Sequence, residues 1–181
     1  MELRPYQQQA VDSIWHEWET VNKTLLVLPT GTGKTICFAK VAEEAVRRGK
    51  RVLILAHREE LLQQASDKIM SASGLTTAME KAEHTCLGQW DRIIVGSVQT
   101  LCKDKRLSMF SKTYFDVIII DEAHHAVSSS YQAILNYFDQ TKVLGVTATP
   151  DRSDMKNLGR VFESLAFEYT CLLYTSPSPR D

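Results

Sequence analysis

The chain has 181 residues, of which 44% are hydrophobic, 24% charged and 8% aromatic, about one domain of ordinary globular composition. That apolar share excludes intrinsic disorder, and no run approaches the ~18 consecutive apolar residues of a membrane span. With 21 basic and 22 acidic residues the net charge is −1, which excludes a strongly basic nucleic-acid coat but not a local binding face.

In chain order, the opening MELRPYQQQ lacks the basic and then apolar pattern of a signal peptide, so a cytoplasmic protein with no membrane partner is expected. Residues 6–20 place Ala10, Val11, Ile14, Trp15 and Trp18 on one helical face, the tryptophans as packing residues. Residues 24–28 (TLLVL) form a short apolar strand and 35–48 a helix stopped by Gly49. A strand follows at 51–56, a helix at 59–70, and strands at 92–95 and 116–120. A helix at 131–138 and a strand at 142–146 complete the pattern, and 151–170 has room for one helix and one strand. Short apolar strands alternating with helices imply βαβ crossovers and an α/β fold, a mostly parallel sheet flanked by helices on both faces. In such sheets ligands bind beyond the carboxyl ends of the strands.

Three strand ends carry chemistry. Residues 29–35 read PTGTGKT directly before a helix. Thr30, Gly31, Thr32 and Gly33 suit a loop whose N–H groups converge on phosphate oxygens. The helix N-terminus adds partial positive charge, Lys34 adds a full charge, and the Thr35 hydroxyl is a ligand for Mg²⁺. The run 116–120 ends in Asp121-Glu122-Ala123-His124. Adjacent carboxylates allow a division of labour, with Asp121 on the metal side and Glu122 orienting and deprotonating a water. Two acids after a strand also serve as a helix cap; the phosphate loop favours the catalytic role. His124 and His125 have no third ligand at zinc spacing. After the fifth strand, Thr147-Ala148-Thr149-Pro150 offers small hydroxyls that relay hydrogen bonds from the nucleotide side, or an ordinary proline-terminated turn. Cys37, Cys86, Cys102 and Cys171 show no CxxC spacing, so reduced thiols are expected, with Cys37 buried. The runs Arg47-Arg48 and 103–106 are expected to be solvated charge.

Taken in order, RPYQ (4–7), PTGTGKT (29–35), LAHREELL (55–62), GSVQTL (96–101), DEAH (121–124) and TATP (147–150) resemble the superfamily 2 helicases. The resemblance is closest to the DEAH-containing group of type III restriction-subunit-like and repair-type helicases. Leu28 stands where the general phosphate-loop pattern has its first glycine, a departure that matches the helicase form. The resemblance implies that residues 1–170 are the first of two RecA-like P-loop NTPase domains. It also implies ATP and Mg²⁺ as ligands, with Arg4 stacking on adenine and Gln7 hydrogen-bonding it. His124, Thr147 and Thr149 would couple nucleotide state to a nucleic-acid track, DNA favoured over RNA, contacted by Arg58, Ser97, Gln99 and Thr100. A second RecA-like domain, absent from these residues, would supply arginines to the reaction. The resemblance thus implies an ATP-dependent helicase or translocase, of prokaryotic or phage origin, whose isolated first domain binds nucleotide but hydrolyses it poorly. A restriction-endonuclease motor and a non-catalytic nucleotide-binding scaffold are the alternatives. Residues 171–181 (CLLYTSPSPRD) resemble a translated sequencing adaptor, so Cys171 is expected not to be native and the natural chain to continue beyond Thr170.

Overall fold

The computed structural model describes residues 2–29, 33–82, 84–148 and 150–168. The five expected strands are present as β1 (Lys23–Val27), β2 (Val52–Ala56), β4 (Ile93–Ser97), β5 (Val117–Asp121) and β6 (Lys142–Thr147). Two further strands, β3 (Thr77–Glu80) and β7 (Ser164–Glu168), form the edges of a seven-stranded sheet ordered β3-β4-β2-β5-β6-β1-β7. Every neighbouring pair is parallel.

Parallel strands covered on both faces need apolar residues at every position, and β2 is buried throughout. Alternate residues then serve alternate faces. Leu26, Ile54, Ile119 and Leu144 pack beneath α1 (Pro5–Glu17) and α2 (Lys34–Arg47), meeting Ile14 and Phe38. Leu25, Leu53, Ile118 and Val143 face the other layer, which holds Leu101, Leu107, Ile134 and Leu158. Those residues belong to α4 (Val98–Leu101), α5 (Asp104–Leu107), α6 (Ser129–Tyr137) and α7 (Arg152–Leu158). Helix α3 (Glu59–Ser73) lies beside α2 and extends past its expected end to the residue before Gly74.

The tryptophans of α1 pack as expected. Trp18 is buried and its indole N–H donates to the Val143 carbonyl at 3.1 Å. Trp15 meets it edge to face, donates to Glu44, and lies under the Arg48 guanidinium, whose centre is 3.7 Å from the ring centroid. Arg48 is therefore a stacking residue as well as a surface charge. Trp90, just before β4, is 97% exposed.

Strand β3 carries no apolar alternation in its sequence, because its buried residues are Ala78 and Glu80 while the apolar Met79 between them is only half-buried. The Glu80 carboxylate pairs with Arg106 and accepts from the Cys86 N–H and the Thr85 hydroxyl, both at 2.8 Å. Arg106, expected to be solvated, instead anchors the sheet edge, because a buried carboxylate needs a cation and donors around it. Cys37, Cys86 and Cys102 are free; burial pushes the Cys37 and Cys86 thiols up to about 12.

Gly145 in β6 sits beneath the Phe162 ring and beside Ala123, and an added Cβ would lie 2.3 Å from Phe162 and 2.9 Å from the Ala123 Cβ. Gly145→Ala is expected to lower unfolding stability by about 1–3 kcal/mol in a denaturant titration. In a Gly145→Ala/Phe162→Ala chain the cost should fall well below the sum of the two single changes, because the ring is the obstruction.

Candidate active site

Since all seven strands run in one direction, their carboxyl ends share one edge. Register fixes the neighbours: Val27 stands beside Thr147, Asp121 beside Val146, and Ala56 beside Ser97. The segments singled out in the sequence are thus collected along one rim, although up to 118 positions separate the Pro29 and Thr147 ends of that set in the chain.

At the β1 end, Gly33 has φ +77° and precedes α2, whose first residues are Lys34 and Thr35. A left-handed residue followed by a helix start aims backbone N–H groups outward, the geometry that binds anions. Gln7 is buried against this loop; a Cβ on Gly33 would fall 2.5 Å from its Nε2. The Gln7 Oε1 accepts from the Arg4 N–H at 2.9 Å, so the same amide closes the start of α1. The side chain of Arg4 is exposed at that end. Thr30, Gly31 and Thr32 lie outside the described residues, as does Thr149.

The β1 and β5 ends meet through Lys34. Its Nζ donates to Glu122 Oε1 at 3.2 Å and lies 3.9 Å from Asp121 Oδ1. Burial raises the Asp121 pKa above the ordinary carboxylate value; Lys34 opposes the shift, the Glu122 charge adds to it, and the Glu122 N–H donating to Asp121 Oδ1 at 2.9 Å opposes it. A desolvated carboxylate and a nearby hydroxyl on Thr35, the first turn of α2, are oxygen groups of the type that hard divalent ions take.

Glu122 itself has φ +56° and ψ +59°, the left-handed conformation that a residue with a Cβ adopts at a cost of about 1–3 kcal/mol. The bend turns the chain sharply from β5 into a 3-10 turn, Ala123–Val127, with Ala123 buried beneath it. The Glu122 side chain remains about one-third exposed, while Asp121 is less so.

Of the proposed coupling residues, His124 is exposed with Nδ1 3.7 Å from Glu122 Oε2, and Thr147 is buried with its carbonyl accepting from the Leu28 N–H at 3.1 Å. Thr147 thereby joins the β6 end to the chain entering the phosphate loop. On the far side of β5, Arg58 precedes α3, is exposed, and pairs loosely with Glu60 at 3.8 Å. Ser97 is buried at the residue before α4, with no capping bond from its side chain, Gln99 is exposed, and the Thr100 hydroxyl accepts from the Ala82 N–H at 2.9 Å. Arg58, Ser97, Gln99 and Thr100 stand on the β2 and β4 ends, whereas the phosphate loop stands on β1.

Three residues near these groups were given no role from the sequence, His57 and His125 at the rim and Tyr131 in the core beneath it. His57 and His125 stack with ring centroids 3.9 Å apart, and the His57 Nδ1 is buried with no hydrogen-bond partner. Tyr131 is buried in the core with an unpartnered hydroxyl, its pKa pushed up by burial and by the charges of Asp121 and Glu122. Adjacency to LAHREELL and DEAH was the available hint for the histidines; the tyrosine reads as an ordinary helix residue.

Residues 1–152 match the family described as type III restriction enzyme, res subunit. The chain is 35% identical over 180 residues to "Putative ATP-dependent helicase IRC3" of Saccharomyces cerevisiae, covering 91% of this chain and 26% of that protein. It is 31% identical over 157 residues to the type I restriction enzyme EcoAI endonuclease subunit of Escherichia coli, covering 81% of this chain and 19% of the relative. Among solved structures, the Pyrococcus furiosus Hef helicase domain superposes with a TM-score of 0.73 at 26% identity, over 93% of this chain and 38% of that one. The UvsW helicase from bacteriophage T4 has the same fold, with a TM-score of 0.72 at 19% identity over 93% of this chain and 61% of that one. The chain spans about a quarter of the length of the yeast relative. It belongs to the type III restriction enzyme res subunit family and carries the N-terminal RecA-like region of a superfamily 2 helicase domain.

Proposed function

We propose that the chain is the ATP-binding half of an ATP-dependent nucleic-acid motor. The observation that carries this reading is the meeting of Lys34 with Asp121 and Glu122 at the carboxyl edge of the sheet, between a helix N-terminus and a strained turn. ATP places its phosphates on the loop 30–35. Lys34 then exchanges its carboxylate partners for phosphate oxygens, and the N–H groups at the start of α2 hold the remainder. Arg4 and Gln7 lie at the adenine end, the amide of Gln7 already positioned by the start of α1. Asp121 and the Thr35 hydroxyl would hold Mg²⁺, which would supply charge neutralisation on the phosphate oxygens. Once released by Lys34, Glu122 accepts the proton of a water whose oxygen attacks the γ-phosphorus. The bond to the β–γ bridging oxygen breaks, giving ADP and phosphate.

Arg58, Ser97, Gln99 and Thr100 form the nucleic-acid side. Helix starts, hydroxyls and a single arginine contact phosphates without a basic coat, which accommodates the net charge of −1. DNA is favoured over RNA. His124, Thr147 and Thr149 link the two sides. We place the protein in the cytoplasm, with the domain spanning 1–170, the adaptor-like 171–181 outside it, and a second RecA-like domain following in the whole protein. Arginines from that domain would accelerate the transfer by about 10³–10⁵. A second reading, the motor subunit of a restriction endonuclease, is favoured by the family match and by the EcoAI relative. A nuclease motif in the continuing sequence would select it.

Four outcomes are expected. Lys34→Ala weakens ATP binding about 100-fold or more in a calorimetric titration, since a charge-assisted phosphate contact is lost; unchanged affinity would remove the phosphate-loop assignment. The native chain binds ATP with little turnover in a phosphate-release assay, and robust nucleic-acid-stimulated hydrolysis by these residues alone would contradict the half-site. Asp121→Asn raises the unfolding free energy of the nucleotide-free chain at neutral pH, by no more than about 1 kcal/mol because the group is partly exposed. The sign follows from the raised pKa: the folded chain binds the proton more tightly than the unfolded chain. The stability this confers is present in acid and lost as pH rises through the folded pKa, so the gain from asparagine shrinks on acidification. The same change abolishes the Mg²⁺ dependence of nucleotide affinity.

A further inference from the structure

The rim has two ends, and three imidazoles lie between them. β2 and β5 are hydrogen-bonded neighbours, Leu55 beside Ile120, so the turns leaving them are adjacent. His57 is the first residue after β2, immediately before Arg58; His124 and His125 follow the Glu122 bend after β5. The rings of His57 and His125 have centroids 3.9 Å apart, and those of His125 and His124 4.2 Å apart, with interplanar angles of 44° and 40°. At the far end His124 Nδ1 is 3.7 Å from Glu122 Oε2. A continuous line of contacts therefore runs from the Arg58 turn to the carboxylate at the phosphate loop.

Three features separate this stack from ordinary packing. His57 carries a buried Nδ1 with no hydrogen-bond partner, which apolar packing alone would not favour. Burial, together with the neighbouring His57, His124 and Arg58, outweighs the opposing Glu122 charge and lowers the His125 pKa. Moreover, the stack spans two turns rather than the interior of one layer, so a shift of the Arg58 turn moves the His57 ring against His125 and thence the bend that sets Glu122.

We propose that His57 and His125 are positioning residues that couple the Arg58 turn to Glu122 through this imidazole stack. The proposal rests on the reading of Arg58 as a nucleic-acid contact and Glu122 as part of the nucleotide site. Mechanical coupling between two sites is a reciprocal change in affinity, so it is measurable by binding alone.

The experiment titrates this chain with the imido analogue of ATP and Mg²⁺, and with oligothymidylate, each alone and each in the presence of saturating amounts of the other. In the native chain each ligand is expected to tighten the other by about fivefold or more. His57→Ala and His125→Ala should leave each separate affinity unchanged and bring the coupling factor to about one. His125→Phe, which keeps a ring in the stack, should retain it. If the alanine variants lose the separate affinities through misfolding, His57→Phe and His125→Phe decide. Intact affinities with coupling support the stack, and intact affinities without it overturn it. Native-like coupling in His57→Ala and His125→Ala, or two ligands that bind the native chain without coupling, also overturns the proposal. Failure of the native chain to bind one ligand at all removes the underlying site assignment, and the proposal with it.

Discussion

A sheet whose strands all run one way has one edge at which every strand hands over to its following segment. In this chain that constraint does more than any single contact: it brings the loop after β1, the bend after β5, the turn after β6 and the helix starts after β2 and β4 onto a common rim. The central strands are buried on both faces, so their register rests on how each row of side chains fits the helical layer it meets rather than on an apolar and polar alternation. Chemistry at the rim is thus positioned by hydrophobic burial that takes place well beneath it.

The rim is also where the fold bears local cost. Asp121 is a desolvated carboxylate beside a second carboxylate, and Glu122 holds a left-handed conformation. Lys34 offsets part of the charge by spanning both acids. These groups are individually unfavourable for folding; on the proposed reading they are jointly useful, because the ammonium that quiets the acids is the one that phosphates would need. The buried Glu80, by contrast, has its cation and donors supplied within the chain through Arg106, Thr85 and Cys86, and it carries structure rather than chemistry.

How much of this was legible depended on whether a residue's signal was local. The five central strands announced themselves through continuous apolar runs, and their bounds moved by only a few residues. Lys34, Asp121 and Glu122 were legible because their neighbours in sequence are also their neighbours in chemistry. β3 was hidden because a buried glutamate looks like a solvated one until its arginine is found, and that arginine lies in a run that reads as surface charge. The histidine stack was hidden for a related reason: His57 and His125 are 68 positions apart, and no spacing rule joins them. Gln7 was expected at the nucleotide from the resemblance alone, and its packing against Gly33 depends on where α1 sits relative to the start of α2.

The placement of the tryptophans has an optical consequence. Trp18 bonds the carbonyl of Val143 near the start of β6, Trp15 lies a turn away, and Trp90 precedes β4 in solvent. All three indoles sit toward the amino ends of the strands, across the sheet from the rim. Intrinsic emission from this chain therefore combines a packed pair that reports loss of the fold with one water-exposed indole. A ligand seated at the rim changes neither environment directly. A change in tryptophan emission on adding nucleotide would therefore report rearrangement carried through the body of the sheet, with proximity of the ligand to a fluorophore excluded as its cause.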